Sequence, residues 1–329
     1  MKKTLTRWIQ DAWYNDMYVS VLLAPFSLIY VDIIRLRRFL YRKGLLKSVR
    51  LAVPVIVVGN ITVGGTGKTP LVIWMANFLQ QQGFNPGVIS RGYGGQNSEQ
   101  PRLVTAQTSA AEVGDEAVLI REKAQVPVAV CVKRAVAGQF LIDHENCDIL
   151  ISDDGLQHYA LQRNLEIAVI DGERRFGNGY CLPAGPLREP VERLREVDLA
   201  IVNGQKQEDF EYAMRFVGST AVNLQTAAVK PLSDFKAQSC HAVAGIGNPQ
   251  RFFQLLRQHG LNIKPHAFPD HYPFAAEDLD FNDRQPVLMT EKDAVKCRAF
   301  ATNNVWAVPI QAKPDSNFIQ QLKQRLNLK

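Results

Sequence analysis

The sequence predicts an α/β protein in which helices cover a mostly parallel sheet, with a phosphate-binding loop after the first strand. Short apolar runs rich in β-branched residues alternate with stretches of helical periodicity, which is the pattern of parallel α/β folds. The first run, Val53–Val58, leads into a glycine-rich turn and then into residues with helical spacing. A chain of 329 residues exceeds the usual size of one domain, so a second, smaller α/β/α domain is expected.

Residues 1–50 are expected to form an amphipathic, membrane-associated helical segment. They hold ten Lys and Arg against three Asp, a net charge of +7, whereas the rest of the chain carries −1. The uncharged stretch Met17–Val31 is short for a membrane span of about twenty residues, and Pro25 interrupts it. In a signal peptide the positive charges come before the apolar stretch, whereas here an arginine cluster follows it. Apolar residues and arginines then fall on different helical faces, which favours a helix in the headgroup layer; a helical hairpin packed on the protein body is the alternative.

Charge and cysteine content restrict the function classes. Because the basic excess is confined to the N-terminus, it indicates that the N-terminus meets an anionic surface. It also disfavours general nucleic-acid binding. Five cysteines, odd in number and without a Cys-x-x-Cys pair, predict reduced thiols in a cytosolic compartment, with neither disulfides nor a structural zinc.

The loop after the first strand has the residue types that bind nucleotide phosphates. Its residues are Thr62, Val63, Gly64, Gly65, Thr66, Gly67, Lys68 and Thr69. The glycines let backbone N–H groups converge on phosphate oxygens, Lys68 reaches the β- and γ-phosphates, and the Thr69 hydroxyl ligates Mg²⁺. The strict P-loop pattern has a glycine where this chain has Thr62, so a glycine-rich turn with an incidental lysine is the alternative.

Further strands and helices predict where the two domains divide. Strands are expected at Pro86–Ser90, Val126–Val132, Asp148–Ser152, Leu165–Ile170, Asp198–Val202, His241–Ala244, Val287–Met289 and Val305–Val308, with helices from Pro249 to Gly260 and from Glu291. The expected division is 1–50 for the N-terminal helices, 51–230 for the P-loop domain and 231–329 for the smaller domain.

Two adjacent carboxylates follow the strand expected at Asp148–Ser152. The end of a parallel strand is where such a fold holds the acid that serves Mg²⁺ on a nucleotide. Asp153 is therefore predicted to lie on the metal side, and Asp154, with Gln157 and His158 close behind, to face the reaction or organise water. A plain Asp-Asp-Gly turn is the alternative.

Other charged residues have two interpretations each. Asp115 and Glu116 open a helical stretch, where they either stabilise its N-terminus or supply a carboxylate that accepts the proton of an attacking hydroxyl. Arg91 and Tyr93 lie in a glycine-rich loop that suits an anionic or sugar-bearing acceptor, although a surface turn fits equally. The role of Arg134 is open.

The later part of the chain holds three further motifs. Asp270-His271 lies among aromatics and prolines, and a lone histidine is more often structural than catalytic. Thr290-Glu291-Lys292-Asp293 begins a helix and fits a functional motif and a capping box equally well. Gly245-Ile246-Gly247 lacks the third glycine of a dinucleotide fingerprint, because Gln250 stands there, which excludes a nicotinamide or flavin site. Arg188-Glu189 has no role assignable from local pattern.

In this order the motifs resemble the tetraacyldisaccharide 4′-kinase family, the lipid A 4′-kinases of Gram-negative bacteria. The resemblance extends from about residue 10 to 310 and rests on Thr62–Pro70, Ser90–Gly94, Gly114–Glu116, Asp153–His158, Leu182–Glu189, Asp270–Tyr272 and Thr290–Asp293. The family itself varies at the position of Thr62.

The resemblance implies ATP-dependent transfer of the γ-phosphoryl group to the 4′-hydroxyl of tetraacyldisaccharide 1-phosphate, forming lipid IVA in lipid A biosynthesis. It implies ATP and Mg²⁺ as cofactors, a site between two α/β/α domains, and peripheral attachment to the cytoplasmic face of the inner membrane. The implied partners are the lipid A precursor and anionic headgroups, with no nucleic acid and no obligate protein partner.

The family's site residues map onto this chain motif by motif. The resemblance implies catalysis by Asp115 as base, His271 as its assistant, Lys68 and Asp154. It implies metal binding by Thr69, Asp153 and Glu189, and binding of the acceptor or of transition-state charge by Arg91, Tyr93, Arg134, His158 and Arg188.

Two other functions compete with this interpretation. A GTPase would need an Asn-Lys-x-Asp motif and an Asp-x-x-Gly switch, for which the chain offers only Thr290–Asp293 and Asp153–Gly155. A nucleotide-gated membrane-binding module would bind lipid in response to ATP without forming a phosphorylated product.

Overall fold

The computed structural model describes residues 13–14, 17–96 and 98–328. The N-terminal charges Lys2, Lys3, Arg7, Asp11 and Asp16, part of the expected membrane segment, lie outside the described residues. The helices are α1 (Met17–Arg42), α2 (Lys68–Gln81), α3 (Ala110–Val113), α4 (Asp115–Ala124), α5 (Arg134–Glu145), α6 (Pro249–Gln258), α7 (Glu291–Cys297) and α8 (Ser316–Arg325).

Strands between residues 55 and 217 form most of a mixed, mostly parallel sheet. They are β1 (Val55–Gly59), β2 (Pro86–Ser90), β3 (Arg102–Leu103), β4 (Val128–Val130), β5 (Ile149–Asp153), β6 (Leu165–Asp171), β7 (Leu199–Asn203) and β8 (Glu211–Val217). With a later strand, β15 (Gln311–Pro314), the order is β15-β8-β7-β6-β1-β5-β2-β4-β3. The edge pairs β3–β4 and β8–β15 are antiparallel.

Strand β1 lies inside this sheet because all five of its residues are buried and apolar or glycine. It pairs in parallel with β5 on one side, Val58 opposite Asp153, and with β6 on the other, Gly59 opposite Ala168. The carboxyl ends of the three strands therefore meet at one edge, the place where open α/β sheets bind ligands. The predicted α/β class is confirmed.

A second sheet holds most of the remaining strands. They are β9 (Thr220–Asn223), β10 (Val229–Pro231), β11 (Ser239–Ala244), β12 (Asn262–Ala267), β13 (Val287–Thr290) and β14 (Val305–Val308), in the order β10-β9-β14-β13-β11-β12. Strands β11 to β14 pair in parallel, while β9 and β10 are antiparallel.

The chain passes between the sheets at residues 217–220 and again at 308–311. The division expected at residue 230 differs from both crossings, since β9 and β10 already belong to the second sheet and β15 with α8 returns to the first. The return depends on long-range contacts: Ala213 N–H donates to Asp315 Oδ2 at 2.8 Å, and Phe318 of α8 is fully buried in the first core. Local sequence carries no signal for such contacts.

Helix α1 contacts the first domain along one face and exposes an apolar stripe on the other. Ser27 Oγ donates to the Cys181 carbonyl at 2.7 Å, and Tyr30 Oη donates to the Arg188 carbonyl at 3.1 Å. The exposed stripe contains Leu22, Phe26, Ile29, Ile33 and Leu36, with exposures from 58% to 77%. Residues Val19–Arg42 are long and apolar enough to cross a membrane by length and composition, although one such helix is weak support for a span. The helix continues through Pro25 and fits membrane association.

Candidate functional site

The glycine-rich loop joins β1 to α2 and places Lys68 at the start of α2. Gly64 and Gly67 both have φ 102°, a conformation that favours glycine, and a Cβ on Gly67 would lie 2.5 Å from the Phe216 ring. Lys68 Nζ lies 3.2 Å from Asn60 Oδ1 and 3.5 Å from Asp154 Oδ1. The loop and the start of α2 thus combine backbone N–H groups, a helix N-terminus and an ammonium, which together bind anions.

Asp153, at the end of β5, is a buried carboxylate without a protein partner. It is 1% exposed, and neither carboxylate oxygen has a hydrogen-bond donor. Arg134 donates instead to the main-chain carbonyls of Asp153 and Asp154, at 3.1 and 2.8 Å. Burial, together with the negative charges of Glu116 and Asp154, raises the pKa of Asp153 well above its usual range. An uncompensated buried carboxylate is costly, so this side chain fits a cation ligand.

The residues present fit Mg²⁺ shared between protein and phosphates. Among the residues that the structure describes, three His, Cys, Asp or Glu side chains nowhere converge as a metal cage. Mg²⁺ is commonly held by one or two carboxylates together with substrate phosphates and water. Asp153 and the Thr69 hydroxyl at the start of α2 supply that donor set.

Asp154 has the opposite electrostatic environment from its neighbour. Arg188 Nη1 donates to both of its oxygens, at 2.9 and 3.1 Å, and Lys68 lies 3.5 Å away. Burial raises its pKa, but the charges of Lys68 and Arg188 outweigh burial and hold the pKa far below its usual range. Asp154 also has φ 47°, a backbone conformation that is rare outside glycine and clusters at functional sites.

Glu189 lies in a hydrogen-bond network behind the loop. It is fully buried; Gln157 Nε2 donates to Oε1 at 2.7 Å, and Tyr159 Oη donates to Oε2. The same Gln157 nitrogen donates to the Asn60 carbonyl at 3.0 Å. Arg38 of α1 lies 3.8 Å from Oε2. Both oxygens are therefore used by protein donors, which favours a supporting role for Glu189 over the metal ligation that the resemblance implies.

Asp115 and His271 meet from opposite domains. Asp115 is 4% exposed at the N-terminus of α4, and His271 Nδ1 lies 3.0 and 3.1 Å from its two oxygens. Burial raises the pKa of Asp115, but the His271 hydrogen bond and the charges of Lys292 and Lys296 lower it more. Asp115 Oδ1 also accepts the N–H of Glu116 at 3.0 Å. The two interpretations of Asp115, helix-end acid and ionised base, are therefore compatible.

His158 lies among arginines. Burial is the largest cause that lowers the pKa of His158, and the charges of Arg134, Arg163, Arg37 and Arg91 act in the same direction; together they bring it to about 4. This neutral imidazole is therefore surrounded by guanidinium groups, one of which, Arg37, belongs to α1. Such a group of cations suits an anionic ligand such as a phosphate. Tyr93 lies instead near the Asp115–His271 pair, and its exposed ring is 5.0 Å from the His271 ring.

A cavity of about 620 Å³ separates the two domains beside the loop. Its walls include Gly65–Thr69 and Glu116 of the first domain, and Asn248, Arg251 and Lys292 of the second. The size and the position between domains are typical of small-molecule sites.

The second domain contacts the loop through the Gly245–Gly247 segment. A Cβ on Gly247 would lie 2.2 Å from Gly65 N, so the glycine is explained by close backbone packing. Arg251 of α6 donates to Asp171 Oδ1 at 2.7 Å and to the Asn203 carbonyl at 3.3 Å, fastening this segment to the ends of β6 and β7. Neither Asp171 nor Arg251 was predicted from the sequence, although Asp171 is an acid at a strand end, the same signal that identified Asp153.

The comparisons with known proteins agree on one family. Residues 19–327 match the family model described as tetraacyldisaccharide-1-P 4′-kinase, LpxK. A tetraacyldisaccharide 4′-kinase of Nitrosococcus oceani is 50% identical over 310 residues, covering 94% of this chain and 91% of that protein. One of Methylobacillus flagellatus is 48% identical over 328 residues, covering 99% and 98%. The crystal structure of LpxK from Aquifex aeolicus in complex with ATP superposes with a TM-score of 0.78 at 29% identity, covering 94% and 98%.

Proposed function

Because the chain belongs to the tetraacyldisaccharide-1-P 4′-kinase family, we propose how its own residues carry out phosphoryl transfer and reach a lipid acceptor. The protein is an ATP-using kinase of lipid A biosynthesis. Its reaction joins the γ-phosphoryl group of ATP to the 4′-hydroxyl of tetraacyldisaccharide 1-phosphate. The GTPase and the non-catalytic membrane module considered from the sequence are set aside by this membership.

The observation that carries the proposal is a pair of buried carboxylates in different environments. The buried, unpartnered Asp153 lies at the end of β5, and Asp115, paired with His271, lies at the start of α4. A kinase needs these two functions, one acid near the triphosphate and one near the acceptor hydroxyl. The decisive experiment incubates the purified chain with γ-labelled ATP and the lipid acceptor and separates the lipids by thin-layer chromatography. Labelled lipid is expected with ATP, and its absence would contradict the proposal.

We assign the triphosphate to the loop and Lys68. The loop N–H groups and the Lys68 ammonium neutralise phosphate charge, and Lys68 exchanges its present partners Asn60 and Asp154 for phosphate oxygens. Thr69 and Asp153 would hold Mg²⁺. When bound, Mg²⁺ neutralises charge that develops on the phosphates. Asp154, kept ionised by Arg188, holds this arginine beside the transferring group.

Asp115 is assigned as the general base. Its carboxylate accepts the proton of the 4′-hydroxyl while the hydroxyl oxygen attacks the γ-phosphorus. His271 orients the carboxylate through Nδ1. Phosphoryl transfer depends mainly on positioning and charge stabilisation, so a base with a lowered pKa suffices when it is held in place.

The acceptor is assigned to the cationic group around His158. Arg91, Arg134 and Arg37 supply charge for the sugar phosphate, and Tyr93 supplies a ring and a hydroxyl beside His271. Because Arg37 belongs to α1, the same helix that contacts the membrane takes part in acceptor binding. This assignment requires attachment to a membrane surface, since the acyl chains remain in the bilayer. We propose the cytoplasmic face of the inner membrane as that surface.

Membrane attachment is expected to depend on the apolar stripe of α1. Changing Phe26 and Ile33 together to Ser should weaken binding to anionic vesicles by about 10²-fold or more, because each buried side chain of this size contributes about 1.5–3 kcal/mol. Flotation with phosphatidylglycerol-containing liposomes measures the effect. Val229→Ser is the matched control, since Val229 is 62% exposed on the second domain. Undiminished flotation of the double variant would move the membrane contact elsewhere.

A further inference from the structure

The Thr290–Asp293 motif caps helix α7, but capping accounts for only two of its residues. Thr290 Oγ1 accepts the N–H of Asp293 at 3.2 Å and donates to Asp293 Oδ2 at 2.7 Å. The Gly245 N–H donates to the same carboxylate at 2.8 Å. The helix cap is therefore complete without Lys292, whose side chain projects toward the other domain.

Lys292 lies at the junction of both domains. Its Nζ is 3.0 Å from Glu116 Oε1 of the first domain, 3.2 Å from Asp270 Oδ1 and 3.4 Å from His271 Nε2. Burial lowers the pKa of Lys292, but the charges of Glu116, Asp270 and Asp115 raise it more, so its net shift is upward. Lys292 is therefore an ammonium, which only donates hydrogen bonds.

These partners define the tautomer of His271. A carboxylate only accepts and an ammonium only donates, so Nδ1–H donates to Asp115 while Nε2 accepts from Lys292. The other groups that face the ring are Asp270, whose Oδ1 is 3.8 Å from Nε2, and the Tyr93 ring. The result is a chain of hydrogen bonds from ammonium to imidazole to carboxylate.

We propose that Lys292 is a positioning residue of the kinase: its ammonium donates to Nε2 of His271 and so keeps the imidazole proton on Nδ1, and His271 in turn orients Asp115. This inference rests on the proposed role of Asp115 as base. Lys292 and His271 come from the second domain, whereas Asp115 and Glu116 come from the first. The base is therefore fully oriented only when the two domains meet, which couples domain closure to catalysis.

The proposal predicts a specific pH dependence. Burial and the positive charge of Lys292 lower the pKa of His271, but the Asp115 hydrogen bond and the charges of Asp270 and Asp115 raise it more, so its net shift is upward. The same Lys292 charge lowers the pKa of Asp115. Removing that charge raises both pKa values. Both groups then become protonated at higher pH, so the acidic limb of the kcat/KM profile should move to higher pH, by about half a unit or more. Lys296, 3.6 Å from Asp115 Oδ2, remains in the variant and limits the shift.

The kinetic test compares three variants from about pH 5 to pH 9, a range that includes the pH at which histidines titrate. Lys292→Met should reduce kcat/KM about tenfold or more at neutral pH and shift the acidic limb upward, whereas Lys292→Arg should retain the limb. Lys123→Met is the matched control, because Lys123 forms another ion pair between the domains, with Glu291. A Lys292→Met profile that is lowered at every pH with its limb unmoved would show a docking role only and overturn the proposal.

A second measurement does not use activity. In the full chain labelled with ¹⁵N-histidine, the resonance that disappears in His271→Gln identifies His271, and its ¹⁵N shifts report the tautomer. The Nδ1–H tautomer is expected in the unsubstituted chain, with protonation at Nε2 appearing at neutral pH in Lys292→Met. An Nε2–H tautomer in the unsubstituted chain would refute the inference. If the tautomer is as expected but Asp115→Asn keeps full turnover, Asp115 is not the base. The hydrogen bonds from Lys292 to His271 and from His271 to Asp115 would then still be supported.

Discussion

Asp115→Asn is expected to lower turnover by about 10²- to 10⁴-fold, the usual contribution of a general base, while ATP binding remains largely intact. The amide keeps the size of the side chain but has no basic oxygen to take the 4′-hydroxyl proton. It also presents an NH₂ group to His271 Nδ1–H, which replaces an attractive contact with a poor one. Turnover is measured with labelled ATP and lipid acceptor in mixed micelles, and ATP binding by calorimetry.

The matched control for this variant is Glu122→Gln. Glu122 lies on the same helix as Asp115, and its Oε2 is 2.7 Å from Arg298 Nη2 of the second domain. This substitution therefore weakens an ion pair between domains without touching the cavity, and turnover should change little. If Asp115→Asn and Glu122→Gln lost activity equally, the effect would be one of domain contact. If Asp115→Asn were fully active, Asp115 would serve only the N-terminus of α4.

Asp153→Asn is expected to change stability and activity in opposite directions. The nucleotide-free protein should become more stable by about 1–4 kcal/mol, because replacing an uncompensated buried charge by a neutral group removes a desolvation cost. Turnover should fall by about 10²-fold or more, since a metal ligand near the phosphates contributes several kcal/mol and each 1.36 kcal/mol is a factor of ten. Differential scanning fluorimetry at pH 8 and the lipid kinase assay measure the two effects.

The same fluorimetry with Mg²⁺ and ATP gives an independent readout for Asp153. Added ligand should raise the melting temperature of the unsubstituted chain strongly and that of Asp153→Asn weakly, because only binding to the native state shifts the unfolding equilibrium. Asp143→Asn, at an exposed position of α5, serves as control and should respond to ligand like the unsubstituted chain. A destabilised Asp153→Asn protein with a normal ligand response would assign Asp153 to the fold instead of the metal.

The strand, loop and helix around Lys68 were predictable because their signals are local. Apolar β-branched residues indicate buried parallel strands, glycines permit the positive φ of the loop, and Pro70 fits the first helical turn. Most expected strand positions agree with the structure to within two residues, and β2 and β14 coincide with their predicted ranges. The acids at the end of β5 were found by the same logic, since parallel strands present their carboxyl ends at one edge.

The structure was needed wherever a residue has two locally plausible roles. Asp115 fits a helix cap and a base equally well by sequence, and its contact with His271, 156 residues further along, is visible only in the structure. Glu189 could not be distinguished from a metal ligand until Gln157 and Tyr159 were seen to donate to its oxygens. The resemblance implied roles for these residues but not their partners.

The sequence by itself determined the fold class, the phosphate loop and, through its ordered motifs, the family. These depend on backbone propensity, hydrophobic periodicity and short spacing, which are properties of neighbouring residues. Only the tertiary structure decided that β15 and α8 return to the first sheet, that Asp153 has no protein partner, and that Lys292 lies against His271. The physical reason is that burial and hydrogen-bond pairing depend on which distant segments come together, and the charge state of Asp115, His271 and Lys292 depends on that pairing.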